Sequence, residues 1–365
     1  MDRLNVVFTG GGTGGHLYPA IAIAQALGDC ARVTFIGTAD RLEAKIVPAA
    51  GYPLVTVRAR PLNRKPSLEA VVTAFQNAGG VVQALRALAR LKPDIVIATG
   101  GYVCFPVVVA AKMLRRRVAL LEPNAYPGLT NRLLAPLVDE VWGAFPAADE
   151  RFMGKYVHTG IPVRASLYAL PPREAALERL GLSPKRKTLL AMGGSQGARS
   201  INDALASLVV TGGIPDGWQL IHVTGEKEYD RVRAALGGGT TDAVRPYLSD
   251  MTDAYAAADL VLARAGASTL GELAAIGKPA VLVPYPHAAE DHQRANAAAA
   301  AATGAAVVVD DRELAAGKLR TILADVTAPA RLQTMRQAAE AARVASPAAT
   351  IIARVETLTA RKNRP

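Results

Sequence analysis

The sequence predicts an α/β protein of two Rossmann-like domains, each a parallel sheet wrapped in helices, facing one another across a cleft. Three observations carry that expectation. Short apolar, β-branched runs alternate with longer helical patterns, and the alternation stops and restarts once. Each half opens with a strand-like run followed at once by a glycine-rich turn, Gly10–Gly15 in the first and Gly193–Gly197 in the second. The chain has 365 residues, the length of about two ordinary domains.

The strand-like runs of the first half are Leu4–Phe8, Arg32–Ile36, Leu54–Val57, Asp94–Ala98, Val118–Leu121 and Glu140–Trp142. They are short and apolar without alternation, as strands covered on both faces must be. Helical patterns fall between them at Leu17–Leu27, Arg41–Ala50, Ser67–Leu91, Phe105–Leu114 and Gly128–Leu134. The alternation pauses at Gly160-Ile-Pro-Val-Arg164 and a polar stretch with Pro171 and Pro172. It resumes with Thr188–Met192, Gln219–Val223, Asp259–Ala263, Ala280–Val283 and Ala306–Val309. Three closing helical patterns, Arg312–Leu323, Ala330–Ala342 and Pro347–Leu358, have no strands between them. The last begins Ser346-Pro347, a cap followed by a good first-turn residue. The expected domains are 1–161, with the C-terminal helix 345–365 as a candidate addition, and 162–344.

Half of the residues are apolar and 20% are charged, enough for a sizeable core and unlike a disordered chain. Aromatics are 5% of the chain, so Ala, Val, Leu and Ile must build that core. The formal charge is +11, from 42 Lys and Arg against 31 Asp and Glu. Such a balance points to an anionic partner: nucleic acid, a membrane surface or a phosphorylated substrate. Residues 1–160 hold 18 basic and 11 acidic side chains, residues 161–365 hold 24 and 20; the first half is the more basic. Cys30 and Cys104 are too few for a disulfide framework or a four-ligand zinc site. No signal peptide is expected from the opening residues. The longest apolar stretch, Tyr102–Ala111, is far short of the ~20 residues of a membrane-spanning helix, so membrane contact is expected to be peripheral.

Gly10-Gly-Gly-Thr-Gly-Gly15 lies between a strand and a helix, where backbone amides can approach a phosphate or sugar at the positive helix end. Gly10, Gly12 and Gly15 also fit a dinucleotide fingerprint. That reading requires an acid at the end of the second strand, and Ile36-Gly-Thr-Ala-Asp40 offers one only late. A tight turn without a ligand is the bland alternative. His16 closes the loop, and general base and helix cap are both open to it. His158 and His222 lie in apolar strand-like runs and are expected in the core. Gly193-Gly-Ser-Gln-Gly-Ala-Arg199 repeats the theme, with the Ser195 hydroxyl and Arg199 suited to a pyrophosphate. A third turn, Arg264-Ala-Gly-Ala-Ser-Thr269, again precedes a helix. Glu272, early in that helix, either favours its dipole or accepts two ribose hydroxyls. The turns place a nucleotide on the second domain. No Asp-x-Asp pair stands in a suitable loop, and Glu290-Asp291 and Asp310-Asp311 are expected at the surface, so no metal site is expected.

GGTGGH at 11–16, GGY at 100–102 with Pro106, GLTNR at 128–132, GGSQGAR at 193–199 and RxGAxTxxE from Arg264 to Glu272 together resemble the MurG family of bacterial glycosyltransferases. The resemblance runs in order from about residue 5 to about residue 345. It implies the GT-B architecture and inverting transfer of N-acetylglucosamine (GlcNAc) from UDP-GlcNAc to the 4-hydroxyl of the muramoyl sugar of undecaprenyl-pyrophosphoryl-muramoyl-pentapeptide, which converts lipid I to lipid II in peptidoglycan synthesis and so serves cell-wall biogenesis, cell shape and division. UDP-GlcNAc is then a substrate and no cofactor is required. Thr13, Gly14 and Gly15 are implied to line the cleft, Asn124 to meet the donor sugar, and Arg164 and Ser195 to hold the donor near its phosphates. The uracil is implied to meet the Leu248 backbone. Ala267, Ser268, Thr269 and Leu270 offer amides to phosphates and sugar, Glu272 takes the ribose hydroxyls, and Gln293 reads the sugar hydroxyls beside His292. Two loops depart from the family pattern. Leu121-Glu-Pro-Asn124 stands for His-Glu-Gln-Asn, and Gly160-Ile-Pro-Val-Arg164 for Gly-Asn-Pro-Val-Arg; Asn124 and Arg164 remain.

An inverting displacement needs one base for the acceptor proton. His16 is the candidate, as base or as a group that positions the acceptor. A polyprenyl acceptor implies docking on an anionic membrane, at its cytoplasmic face. The basic candidates are Arg64, Lys65, Arg115, Arg116 and Arg117, with Phe75, Met113 and Leu114 as apolar anchors; an ordinary packed helix is the alternative for Ser67–Leu91. Three other classes compete. A related GT-B enzyme would act on another lipid or natural product. A nicotinamide oxidoreductase lacks a well-placed strand-end acid. A nucleic-acid binder would be expected to interleave basic and aromatic residues, and this chain does not, so no nucleic acid is expected as a partner.

Overall fold

The computed structural model describes residues 3–61, 68–146, 152, 154–194, 197–237, 243–315 and 317–360. The chain divides into two units, Met1–Val163 with Ser346–Pro365, and Arg164–Ala345.

The first unit holds β1 (Leu4–Thr9), β2 (Ala31–Gly37), β3 (Leu54–Thr56), β4 (Ile95–Ala98), β5 (Arg117–Glu122), β6 (Glu140–Gly143) and β7 (Tyr156–His158). They form one sheet in the order β3-β2-β1-β4-β5-β6-β7, every pairing parallel. Helices Gly14–Leu27 and Pro347–Ala360 cover one face of it, where Leu17, Ile21, Ile351, Val355 and Leu358 share a core with Phe8 and Phe35. Helices Leu68–Leu91 and Cys104–Met113 cover the other, where Leu88, Val107 and Val108 pack on Val96 and Val118. The C-terminal helix is tied down a second time. Arg354 pairs with Glu140 in β6, and the same carboxylate accepts the Trp142 Nε1–H at 2.9 Å.

The second unit holds β8 (Lys187–Met192), β9 (Trp218–Val223), β10 (Ala243–Arg245), β11 (Leu260–Ala263), β12 (Ala280–Leu282) and β13 (Ala306–Val308). Their order, β10-β9-β8-β11-β12-β13, is again wholly parallel. Thus each unit reverses its strand order once, beside its first strand. The loops after β1 and β4, and those after β8 and β11, diverge there and leave a crevice at the carboxyl ends of the strands. The turns that begin at Gly10, Gly100, Gly193 and Arg264 fall at these two points.

One device sets the strand register at the opposite end. Asp94, Asp139 and Asp259 each stand just before a strand, donate a backbone N–H at 2.8 Å to the neighbouring strand (Asn5, Val118 and Thr188) and accept that residue's amide on the side-chain carboxylate at 2.8–2.9 Å. At Asp139, burial works against ionisation, but the Val118 amide, Lys112 and Arg117 outweigh it and hold its carboxyl below the usual range. Three-residue β7 and β10 lie outside the strand-like runs of the sequence, being too short for periodicity to mark.

Candidate functional site

In the first unit the turn after β1 is held from two sides. Gly11 N–H donates to the Gly100 carbonyl at 3.3 Å, so the turns after β1 and β4 are bonded to one another. Cys104 Sγ–H lies 3.2 Å from the carbonyls of Thr9 and Gly100; burial pushes this thiol up to about 12, so it is a neutral donor. Glu43, fully buried, accepts the Gly12 amide at 3.1 Å and the Thr38 amide and hydroxyl at 3.0 and 2.6 Å. This packing explains the glycines. A Cβ on Gly11 would lie 2.5 Å from the Glu43 carboxylate, and one on Gly10 2.1 Å from Thr99 Oγ1.

Thr13 has extended backbone and precedes the helix Gly14–Leu27, whose first turn carries Gly14, Gly15 and His16. Thr13 is exposed and the next three residues are half-buried. The His16 ring rests on Gly100: a Cβ there would lie 2.5 Å from His16 Nδ1. Gly100, at φ +103°, thus gives the imidazole its seat. The turn after β5 is organised by Glu122, buried, whose carboxylate accepts from Asn124 N and Nδ2, Gly128 N and Asn131 Nδ2 at 2.8–3.1 Å. Burial raises its proton affinity against those four donors. Asn124 is therefore held in place although Pro123 removes an amide.

In the second unit Gly193 and Gly197 are required by contact: Cβ atoms would lie 2.1 Å from the Ala198 amide and the Thr224 carbonyl, and Gly197 has φ +75°. Ser195 lies outside the described residues. Arg199 begins the helix Arg199–Val210 and is exposed. The helix Ala267–Ile276 starts in the turn after β11, with Gly266 as its cap and Ala267, Ser268, Thr269 and Leu270 in its first turn. Glu272 accepts the Tyr255 hydroxyl at 2.5 Å. Burial raises the Glu272 carboxyl, opposed by that hydroxyl and by the Arg164 charge. Arg164 donates to the Ser249 carbonyl at 3.2 Å, beside Leu248. Arg164, Leu248 and Glu272 are thereby grouped. Gln293 Oε1 accepts the Tyr285 amide at 2.9 Å, which leaves its amide nitrogen for a ligand. Just before it, Glu290 and Asp291 both have left-handed backbone, φ +55° and +53°, a conformation rare for residues with a Cβ.

Arg264 is buried and braces the scaffold, bonding the carbonyls of Val283 and Pro284, Ser200 Oγ and Asp311, with Tyr285 stacked 5.4 Å away. Asp310 pairs with Arg294 at 2.7 Å. Among the described residues no group of three His, Cys, Asp or Glu could hold a metal. His222 is buried against Asn202 at 2.9 Å, and desolvation lowers it to about 4; His158, also expected in the core, is instead exposed at the sheet edge, its Nε2 2.9 Å from the Ala144 carbonyl.

The basic and apolar candidates of the first half are split. Arg64 and Lys65 lie outside the described residues. Phe75 is 76% exposed, in a stripe with Val72 and Val82 on the helix Leu68–Leu91. The amino end of that helix, with Phe75, lies towards the carboxyl ends of the strands, because its last residue leads directly into β4. Met113, 63% exposed, Leu114 and the Arg115–Arg117 run lead into β5 at the opposite end of the sheet, and Arg117 is engaged by Asp139 at 3.1 Å. Glu43, Glu122 and Tyr255 were missed by the sequence reading. Glu122 stands two residues before Asn124, a usable signal; the other two join the site only through tertiary contact.

Residues 6–142 match the model of the glycosyltransferase family 28 N-terminal domain and residues 188–352 that of its C-terminal domain. The chain is 42% identical over 365 aligned residues to the UDP-N-acetylglucosamine–N-acetylmuramyl-(pentapeptide) pyrophosphoryl-undecaprenol N-acetylglucosamine transferase of Chlorobium limicola, covering 95% of this chain and 97% of that one. It is 42% identical to the transferase of the same name from Moorella thermoacetica, over 95% and 96%. The chain belongs to this transferase family. Its fold is also that of Acinetobacter baumannii MurG, at TM-score 0.79 and 26% identity over 97% of this chain and 100% of that one. The calicheamicin glycosyltransferase CalG4, at TM-score 0.70 and 17% identity over the full length of both chains, shares the fold. The departure at Ile161 from the family pattern has a local reason: the side chain is buried, beside Gly160 at φ +79°, where an unpaired amide side chain would carry a desolvation cost.

Proposed function

We propose that the chain transfers GlcNAc from UDP-GlcNAc to the 4-hydroxyl of the muramoyl sugar of lipid I, giving lipid II with inversion at the anomeric carbon. The observation that supports this most strongly is 42% identity to transferases of that name along 95% of the chain. The acceptor oxygen bonds to the anomeric carbon as the bond to the UDP oxygen breaks, and the acceptor proton passes to a base. His16 is that base, seated on Gly100 at the mouth of the first glycine turn. Its helix amino terminus, with Thr13, Gly14 and Gly15, faces the acceptor pyrophosphate. In the second unit the amides of Ala267–Leu270 receive the donor phosphates, where charge grows as UDP departs. Glu272, oriented by Tyr255, accepts the ribose hydroxyls. Arg164 and Ser195 support the phosphates, the Leu248 backbone meets the uracil, and Gln293 and Asn124 read the donor sugar.

No metal or cofactor takes part, because fixed amide donors meet the departing charge; turnover is expected to survive EDTA. The enzyme works as a peripheral protein at the cytoplasmic face of the membrane, with the Val72–Phe75–Val82 stripe, and Arg64 and Lys65 just before its helix in the chain, against anionic lipid, each cation contributing about 1 kcal/mol. Among the described residues no helix is long and apolar enough to span a membrane. The deciding experiment is turnover with UDP-GlcNAc and a short-chain lipid I analogue, run beside other polyprenyl and natural-product acceptors. Sugar transfer to one of those acceptors but none to the muramoyl analogue would replace this function with that of a related GT-B enzyme.

A further inference from the structure

The second unit carries a cavity of about 390 Å³ lined by Tyr168, Leu170, Arg173, Ile276, Lys278 and Arg343 among others. It lies at the amino ends of the strands, since Ile276 and Lys278 lead into β12, and so stands away from the glycine turns. Its chemistry is unlike a packing defect. Lys278 Nζ is largely buried and donates to one acceptor among the described residues, the Ala258 carbonyl at 2.7 Å; desolvation lowers its proton affinity. An ammonium has three donors, so two are left to serve. Arg343 spends Nε on the Ala275 carbonyl at 2.9 Å and Nη1 on Glu340 at 3.2 Å. Tyr168 Oη and Arg173 Nε are buried and have no hydrogen-bond partner among the described residues. The local charge is positive: Arg173, Lys278, Arg336 and Arg343 stand against Asp259 and Glu340. Burial pushes the Tyr168 phenol up to about 12 against the opposing charge of Arg343, so it is a neutral donor at physiological pH.

Buried donors in excess of acceptors, on three elements around an open cavity with apolar walls at Leu170 and Ile276, suit a ligand that brings acceptors and negative charge. We infer that this cavity binds a small phosphate-bearing solute, with Lys278 and Arg343 on the phosphate oxygens and Tyr168 Oη donating to one of them. A phosphate with three acceptor oxygens satisfies all three groups at once, and the apolar wall accommodates an organic substituent.

Hydrogen exchange of the full-length protein with inorganic pyrophosphate, and separately with glucose 1-phosphate, locates the site. Saturable protection of residues 165–173 and 275–280 is expected. Stronger protection by glucose 1-phosphate assigns a sugar phosphate; stronger protection by pyrophosphate assigns an inorganic anion. Arg343→Ala should weaken binding about tenfold and Tyr168→Phe, almost isosteric, about fivefold, while Arg343→Lys retains most of it. Protection confined to the glycine turns, equal affinity in the Tyr168→Phe and Arg343→Ala variants, or none at about 10 mM of either ligand would overturn the assignment.

Discussion

At the scale of the residue, four parts of the candidate site are each set by a buried neighbour. His16 rests on Gly100, Asn124 hangs from Glu122, Glu272 is aimed by Tyr255, and the first glycine turn is pinned by Glu43. His16→Ala should lower kcat by roughly 100-fold or more if the imidazole takes the acceptor proton; near-normal turnover would remove it from the reaction. Tyr255→Phe should raise the KM for UDP-GlcNAc about fivefold with little change in kcat, because it disturbs the ribose acceptor rather than the reacting atoms. Glu43→Gln trades charge-assisted bonds for neutral ones and should cost about 1–2 kcal/mol of stability, read as a lower urea midpoint. His222 supplies a pH test. Its folded value of about 4 lies below the ordinary 6.5, so the unfolded chain binds its proton first. Stability is whole above about pH 6.5 and falls as the pH drops towards 4, by about 3 kcal/mol. In His222→Gln the slope of unfolding free energy across that window should flatten.

Elements explain why those neighbours meet. Parallel strands send every connection to a predictable end of the sheet, so turns after β1 and β4 share one end whatever their sequence. Glycine spacing located the turns; it could not indicate that Glu43, from the helix after β2, bonds the turn after β1 to the turn after β2. The same directionality separates Phe75 from the Arg115–Arg117 run, two features that looked alike as a basic, apolar cluster along the chain. Vesicle co-sedimentation tests the consequence. Phe75→Ser should weaken binding to anionic vesicles, and Arg115→Glu should leave it within about twofold; equal losses would mean that both ends of the sheet reach lipid. Arg354 and Glu140 join the last helix to β6. Arg354→Met leaves a buried carboxylate with Trp142 as its one side-chain donor among the described residues and should cost about 2 kcal/mol, seen as a drop in thermal midpoint.

At the scale of the whole molecule the C-terminal helix is the decisive segment, because it returns to the unit formed by the amino-terminal half. Ile351, Val355 and Leu358 are buried there. At roughly 1.5–3 kcal/mol for each aliphatic side chain, their removal approaches the entire stability of a domain. A chain ending at Ala345 should therefore lose the cooperative unfolding transition of the first unit while the second unit, Arg164–Ala345, still melts as before. Calorimetry distinguishes this from a chain in which both transitions vanish.

Sequence by itself determined the class of this protein: two parallel α/β units, the glycine turns at their strand ends, the family and the overall positive charge. Those features are written in local periodicity, in glycines that backbone contacts require, and in motifs whose order along the chain is sufficient. Tertiary structure alone decided the remainder. Glu43, Tyr255 and Glu140 acquire their roles from partners 17–214 residues away. Strand direction is what sets the Arg115–Arg117 run at the opposite end of the sheet from Phe75. Local patterns report what a residue does to its own segment, whereas burial and pairing depend on which distant segment arrives beside it.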